Sequence, residues 1–198
     1  MNNFNKGIIS SFLGSFWWGV IGVLYFKYVS FVNPLEVVSH RVLWTILFLF
    51  FVIIYNNKQQ KVLSILKDKK KTIVLIGSGL MIFINWATWI YALTIEQLVE
   101  ASFGYYIFPI LSIFLASIFL GEKLNFNKKI SIIIIIFSIL YMMLFLETFP
   151  LIGLVVAFSF AFYALLRKLI VVDTDIGLFI ESLFLIPIII FIFYYLGN

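Results

Sequence analysis

The feature that most constrains this chain is a succession of predominantly apolar stretches, each close to the length of a bilayer span. A hydrocarbon core about 30 Å thick is crossed by about 20 residues at about 1.5 Å of rise per residue. Seven such runs follow one another: Gly7 to Val29, Glu36 to Tyr55, Thr72 to Ile95, Ala101 to Leu120, Ile130 to Leu146, Thr148 to Leu166 and Ile176 to Leu196. Lipid offers no partner to a free backbone N–H or C=O, so each run must be a helix or a strand of a closed barrel. Runs without dyad alternation indicate helices. An all-α membrane protein with seven transmembrane helices is expected. The first run is too long for the apolar segment of a signal peptide and no small-residue cleavage site follows it, so it counts as the first membrane helix.

Composition agrees. With 64% of residues apolar, 20% aromatic and 12% charged, there is too little polar surface to coat a water-soluble globule. A soluble enzyme and a disordered chain are both excluded. The formal charge of +5 raises the question of nucleic acid, but most of the lysines lie in short clusters between apolar runs, the membrane pattern. The lipid bilayer is therefore the expected partner, and no nucleic acid is. The absence of cysteine excludes a disulfide framework, a thiolate metal site and covalent haem, and a single histidine weakens any other metal site. No metal and no cofactor are expected.

Short loops rich in Lys and Arg stay in the cytoplasm, and the basic residues fall consistently on alternate loops. Lys6 precedes the first run; Lys58, Lys61, Lys67, Lys69, Lys70 and Lys71 fill the segment between the second and third; Lys123, Lys128 and Lys129 lie between the fourth and fifth; Arg167 and Lys168 follow the sixth. The other segments carry Glu36, Glu96, Glu100 and Glu147, with Lys27 as the exception. The N-terminus is expected inside and the far end of the seventh helix outside. A rival reading of Lys58 to Lys71 as a patch for anionic lipid or nucleic acid adds nothing that topology does not already explain.

Charges within such runs cost about 2.5 to 3.5 kcal/mol at mid-helix, so they usually face the bundle interior and often mark a pathway. In the second run Glu36 and His40 share a face one turn apart, with Arg41 about 100° round. Glu181 stands inside the last run, and His40, Arg41 and Glu181 are expected to face one interior region. For Arg41 a structural ion pair or a bond to loop carbonyls is the alternative, and Lys27 suits a snorkelling position. In the third run Asn85 and Trp89 lie on one face, suited to a cavity lining or to interhelical bonding. In the fourth, Pro109 cannot donate to the carbonyl of Tyr105, so a kink is expected there, with Ser102, Tyr105 and Tyr106 as pore liners or, for the tyrosines, as an interfacial aromatic belt. Gly7, Ser11, Ser15 and Gly19 give the first helix a face without bulk, where another backbone can approach; Trp17 and Trp18 flank it as packing or lining. The candidate substrate pathway is Trp17, His40, Arg41, Asn85, Trp89, Ser102, Tyr105 and Glu181.

A weak internal repeat is visible. The shift that lays Ser15, Phe16, Trp17 and Trp18 over Ala161, Phe162, Tyr163 and Ala164 also brings Glu36 within one residue of Glu181. Five helices separate the copies, and an odd number inverts the second in the membrane.

Several short motifs then come together: His40, Arg41 and Trp44; Asn85-Trp86; Glu100-Ala101-Ser102 followed by Gly104-Tyr105 and Pro109; Gly121-Glu122; Tyr163 with Leu166-Arg167-Lys168; and Glu181 with Pro187. In order and spacing they resemble the RarD subfamily of EamA transporters, in the drug/metabolite transporter superfamily, over essentially the whole chain. The resemblance implies a ten-helix inner-membrane permease of two inverted five-helix repeats, with the translocation cavity between them, moving small metabolites or drugs. On that pattern residues 1–147 form the first repeat and 148–198 begin a second, incomplete one. Its last three helices are missing, for which a truncated reading frame ranks before a fragment, or a chain completed by a second copy or a partner chain. The expected function is a permease working by alternating access on a small-molecule substrate, and the alternative is a non-transporting membrane subunit needing a partner chain. An intramembrane enzyme is not expected, since there is no His-Glu-x-x-His pair and Asp68, Asp173 and Asp175 read as loop residues. A retinal photoreceptor would need a lysine in the seventh helix, which has none.

Overall fold

Asn33 shows how local chemistry starts these helices: its side-chain oxygen accepts from the Leu35 backbone N–H at 2.9 Å, and Pro34 occupies a first turn where no donor is required. The computed structural model describes residues 3–146 and 150–197. A first helix, α1 (Asn3–Phe16), passes through a π-helical turn (Trp17–Gly22) into α2 (Val23–Tyr28). Then come α3 (Pro34–Tyr55), α4 (Gln59–Lys67), α5 (Lys69–Thr94), α6 (Leu98–Leu120), α7 (Phe126–Leu146), α8 (Leu151–Lys168), α9 (Thr174–Phe184) and α10 (Ile186–Leu196). The fold is all-α. Asp68 caps α5 by accepting from Lys71 N–H at 3.2 Å, which holds its carboxyl below the usual range. Gly121, at φ 66°, ends α6 in the left-handed conformation that glycine adopts without strain.

Asn5–Tyr28, α3, α5, α6 and α8 are each long and apolar enough to cross a membrane, and α9 with α10 forms a further candidate bent by 44°. Helix α7 adds 21 residues over the fifth apolar run. The bend corrects the expectation of one continuous helix from Ile176 to Leu196. Pro187 has no N–H to give to the Leu183 carbonyl, so the ladder breaks at Leu185 and restarts as α10. By contrast α6 continues from Leu98 to Leu120 with Pro109 inside it. Helix α4 was not expected. It lies within the lysine-rich segment and buries Val62 and Ile65, three residues apart, against a cluster holding Leu49, Leu75 and Ile180. Glu147, Thr148 and the boundary between 1–147 and 148–198 lie outside the described residues.

Helices α5, α6 and α8 pack together, with α9 against α3 and α5 and α10 against α3. The closest approach joins α6 to α8. A Cβ on Gly153 would stand 2.7 Å from the Glu100 carbonyl oxygen, and one on Gly104 would overlap the Gly153 carbonyl. Ala101, Ala157 and Ala161 are fully buried nearby, so this is the small-residue contact of the bundle. The stripe of small residues on α1 makes no such contact: a Cβ at Gly7 or Gly19 would meet nothing within 4 Å. Large apolar side chains such as Ile73, Phe119 and Phe137 remain exposed, which suits a lipid surface.

Ion pairs gather the basic segments at one end. Lys58 Nζ donates to Asp175 Oδ2 at 2.6 Å and lies 3.5 Å from Asp173, and Lys61 lies 3.4 Å from Asp173, tying the α3–α4 segment to the start of α9. The bond to Asp175 holds the Lys58 ammonium above the ordinary lysine range. Lys168 at the end of α8 donates to Glu122 after α6 and holds that carboxyl below its usual range. At the other end of α8 the Glu100 carboxylate accepts from the backbone N–H groups of Ile152, at 2.8 Å, and Gly153, at 3.4 Å, capping the helix from α6.

Candidate functional site

Residues singled out in the sequence are distributed over three places. The first is a cavity of about 1010 Å³ beside α3, lined by Trp17 of the π-helical turn, Tyr25 and Phe26 of α2, Val29 and Val32 of the segment that follows, Glu36 to Leu49 on one face of α3, and Leu178 of α9. His40 and Arg41 both reach it. His40 Nε2 lies 3.9 Å from Glu36 Oε1, the one-turn pairing expected from their spacing. Among the described residues Arg41 makes neither an ion pair nor a bond to a loop carbonyl. Its guanidinium carbon sits 3.8 Å from the ring centre of Trp86, 4.8 Å from Trp18 and 5.7 Å from Phe26, a cage assembled from three helical segments. Trp18 itself stacks on Trp89 at 5.6 Å, so the buried Trp89 supports the cage and does not line the cavity. No carboxylate pairs with Arg41 among the described residues, and its Nη1 is buried with no acceptor.

The second place is a polar junction among α5, α6 and α8. Asn85 is almost fully buried and donates from Nδ2 to the Val156 carbonyl at 3.0 Å and to Ser159 Oγ at 3.3 Å, while Tyr105 donates its hydroxyl to Asn85 Oδ1 at 3.2 Å. The amide is thereby shared by three helices, and the interhelical bonding weighed for Asn85 is present. Ser102 lies one turn before Tyr105 on α6 and is half-buried.

Glu181 makes the third. Its side chain is fully buried; Ser78 donates to Oε1 at 2.6 Å, and Arg167 Nη1 stands 3.6 Å away. Gly177, one turn before Glu181, leaves open the volume that the Arg167 guanidinium fills, and Gly79 lets α5 approach so closely that a Cβ would lie 3.1 Å from the Glu181 carbonyl oxygen. Glu181 therefore pairs with Arg167 rather than sharing a region with His40 and Arg41. Both members were visible in the sequence, in separate motifs. Their pairing needs the turn between α8 and α9, which the apolar pattern does not specify.

These observations define a multi-pass helical membrane protein with a cation-bearing cavity beside one span. The chain belongs to the EamA-like transporter family, whose model matches residues 5–144. It is 34% identical to the protein RarD of Salmonella typhi and 33% identical to that of Escherichia coli K12, over 92% of this chain and 62% of each relative. An uncharacterized transporter of Bacillus subtilis is 31% identical over the same shares. The chain thus spans 62% of the length of these curated relatives. No solved structure matches it.

Proposed function

We propose that the chain acts as a permease of the drug/metabolite transporter type in the inner membrane, carrying small metabolites or drugs by alternating access past α3. The observation that carries this reading is the cavity of about 1010 Å³ with Arg41 in its wall, in a chain of membrane-length apolar helices belonging to a transporter family. Pockets of this size accommodate a small organic molecule. The basic end, where Lys58, Lys61, Lys128 and Lys168 meet their carboxylates, is the cytoplasmic end in this proposal, with the N-terminus on the same side. Transport is tested by reconstituting the chain in liposomes and following a panel of radiolabelled metabolites, with chloramphenicol included. At least one solute should cross faster than in empty liposomes, and Arg41→Ala should abolish that flux while insertion is retained. If every solute crosses only at the rate of empty liposomes, the permease reading is overturned and the chain is a non-transporting subunit.

A further inference from the structure

We propose that the cavity beside α3 is a binding site for an organic carboxylate with a flat apolar body, its carboxylate held on the N–H edge of Arg41. The inference rests on the permease reading for its physiological role, but not for the binding itself. Arg41 lies seven residues into α3, about 10 Å along the axis from its start at 1.5 Å per residue, so its charge is well inside the apolar part of the chain. A guanidinium does not give up its proton there, and a lone charge at such a depth is costly.

The three rings offset only part of that cost. Trp86 and Trp18, at 3.8 and 4.8 Å, offer the faces of their rings to the cation. A ring face takes the charge and leaves the in-plane N–H donors without acceptors, and Nη1 indeed has none. Arg41 makes no ion pair with a carboxylate among the described residues, and the cavity's own acid, Glu36, is placed against His40 one turn nearer the start of α3. Among the described residues the guanidinium fork has no acceptor of its own, and a ligand with two oxygens in one plane matches it. The surrounding wall selects the rest of the molecule. Trp17, Trp44, Phe48 and Leu178 line the same cavity and favour a flat apolar body over a small hydrated anion.

The test is equilibrium binding of radiolabelled benzoate to the purified full chain in lipid nanodiscs, with no gradient. Saturable binding is expected, weakened at least about tenfold by Arg41→Gln, the loss of one charge-assisted bidentate contact. Arg41→Lys should also bind more weakly than the parent, because a point charge does not reproduce the fork. Unlabelled benzoate should compete, whereas benzamide and inorganic phosphate should not at the same concentration. Leu178→Trp, which fills the cavity and leaves Arg41 in place, should lower binding as well, and it decides the matter if Arg41→Gln fails to fold. Equal competition by benzamide, equal competition by phosphate, or unchanged binding in Arg41→Gln or Leu178→Trp would each overturn the site. Benzoate that binds as described while no solute of the panel crosses faster than in empty liposomes refutes the permease reading and leaves the site standing; flux of benzoate indifferent to Arg41 refutes the site alone.

Discussion

Replacing Gly177 by alanine should destabilise the chain although alanine is the better helix former. In an ordinary helix interior the change stabilises by about 0.5 to 1 kcal/mol. Here the added Cβ would occupy the space of the Arg167 guanidinium, with Nη1, Nη2 and Cζ all overlapped. Arg167 is a long side chain that is 15% exposed, so it swings away and the backbone stays. Glu181, 0% exposed, is then left with the neutral hydroxyls of Ser78 and Tyr163 and no cation. Breaking a buried ion pair costs about 3 to 5 kcal/mol, so the net loss is about 2 to 4 kcal/mol. For a chain of this size that lowers the melting temperature by about 4 to 16 °C. Tryptophan-fluorescence melting in detergent reads it directly. In a Glu181→Gln background the neutral amide needs no cation, and the same alanine should cost less than about 1 kcal/mol. A Gly177→Ala chain that melts within about 2 °C of the parent, or an equal loss in both backgrounds, would refute the electrostatic argument.

Gly104→Leu should be worse than Gly104→Ala, since either side chain forces α6 from the Gly153 carbonyl; overpacking of this kind costs about 1 to 3 kcal/mol, measured by the same melting. The Glu122 carboxyl, held below its ordinary value of 4.5 by Lys168, contributes stability above that value and loses it as pH falls through the lowered one. The protection of backbone amides 121–125 against hydrogen exchange should therefore exceed that of a Glu122→Gln chain at neutral pH and equal it in strong acid. Single cysteines at Lys69 and Gln97, at opposite ends of α5, should be labelled from opposite sides of sealed vesicles, with Lys69 inside; labelling from one side would overturn the topology.

Most of the architecture was legible because lipid makes hydrophobicity nearly synonymous with helix: every apolar run lies on a helix in the described residues. The exceptions have local causes. Helix α4 has its own signal in the spacing of Val62 and Ile65, masked by the lysines around them. The α9–α10 break follows from Pro187, whose missing donor is plain in the sequence but whose effect on an unbroken apolar run is not. The site was less legible. The Glu36 and His40 pairing is a property of one helix and could be read from spacing, whereas the Arg41 cage needs Trp18, Phe26 and Trp86 to converge from elements far apart in the chain. The small residues of α1 and those of α6 and α8 looked alike; only the neighbours decide which stripe is a contact.

If solute passes α3 through the cavity that Arg41 lines, thiol accessibility reports the route directly. The chain has no cysteine, so one introduced thiol reports alone. Thr45 lines the cavity, and Phe137 on α7 is an exposed apolar residue suited to lipid. In sealed vesicles a charged, impermeant methanethiosulfonate should modify Thr45→Cys from one side, while Phe137→Cys stays unreactive. Thr45→Cys that resists the reagent from both sides, or Phe137→Cys that reacts as fast, would contradict a solute route past Arg41.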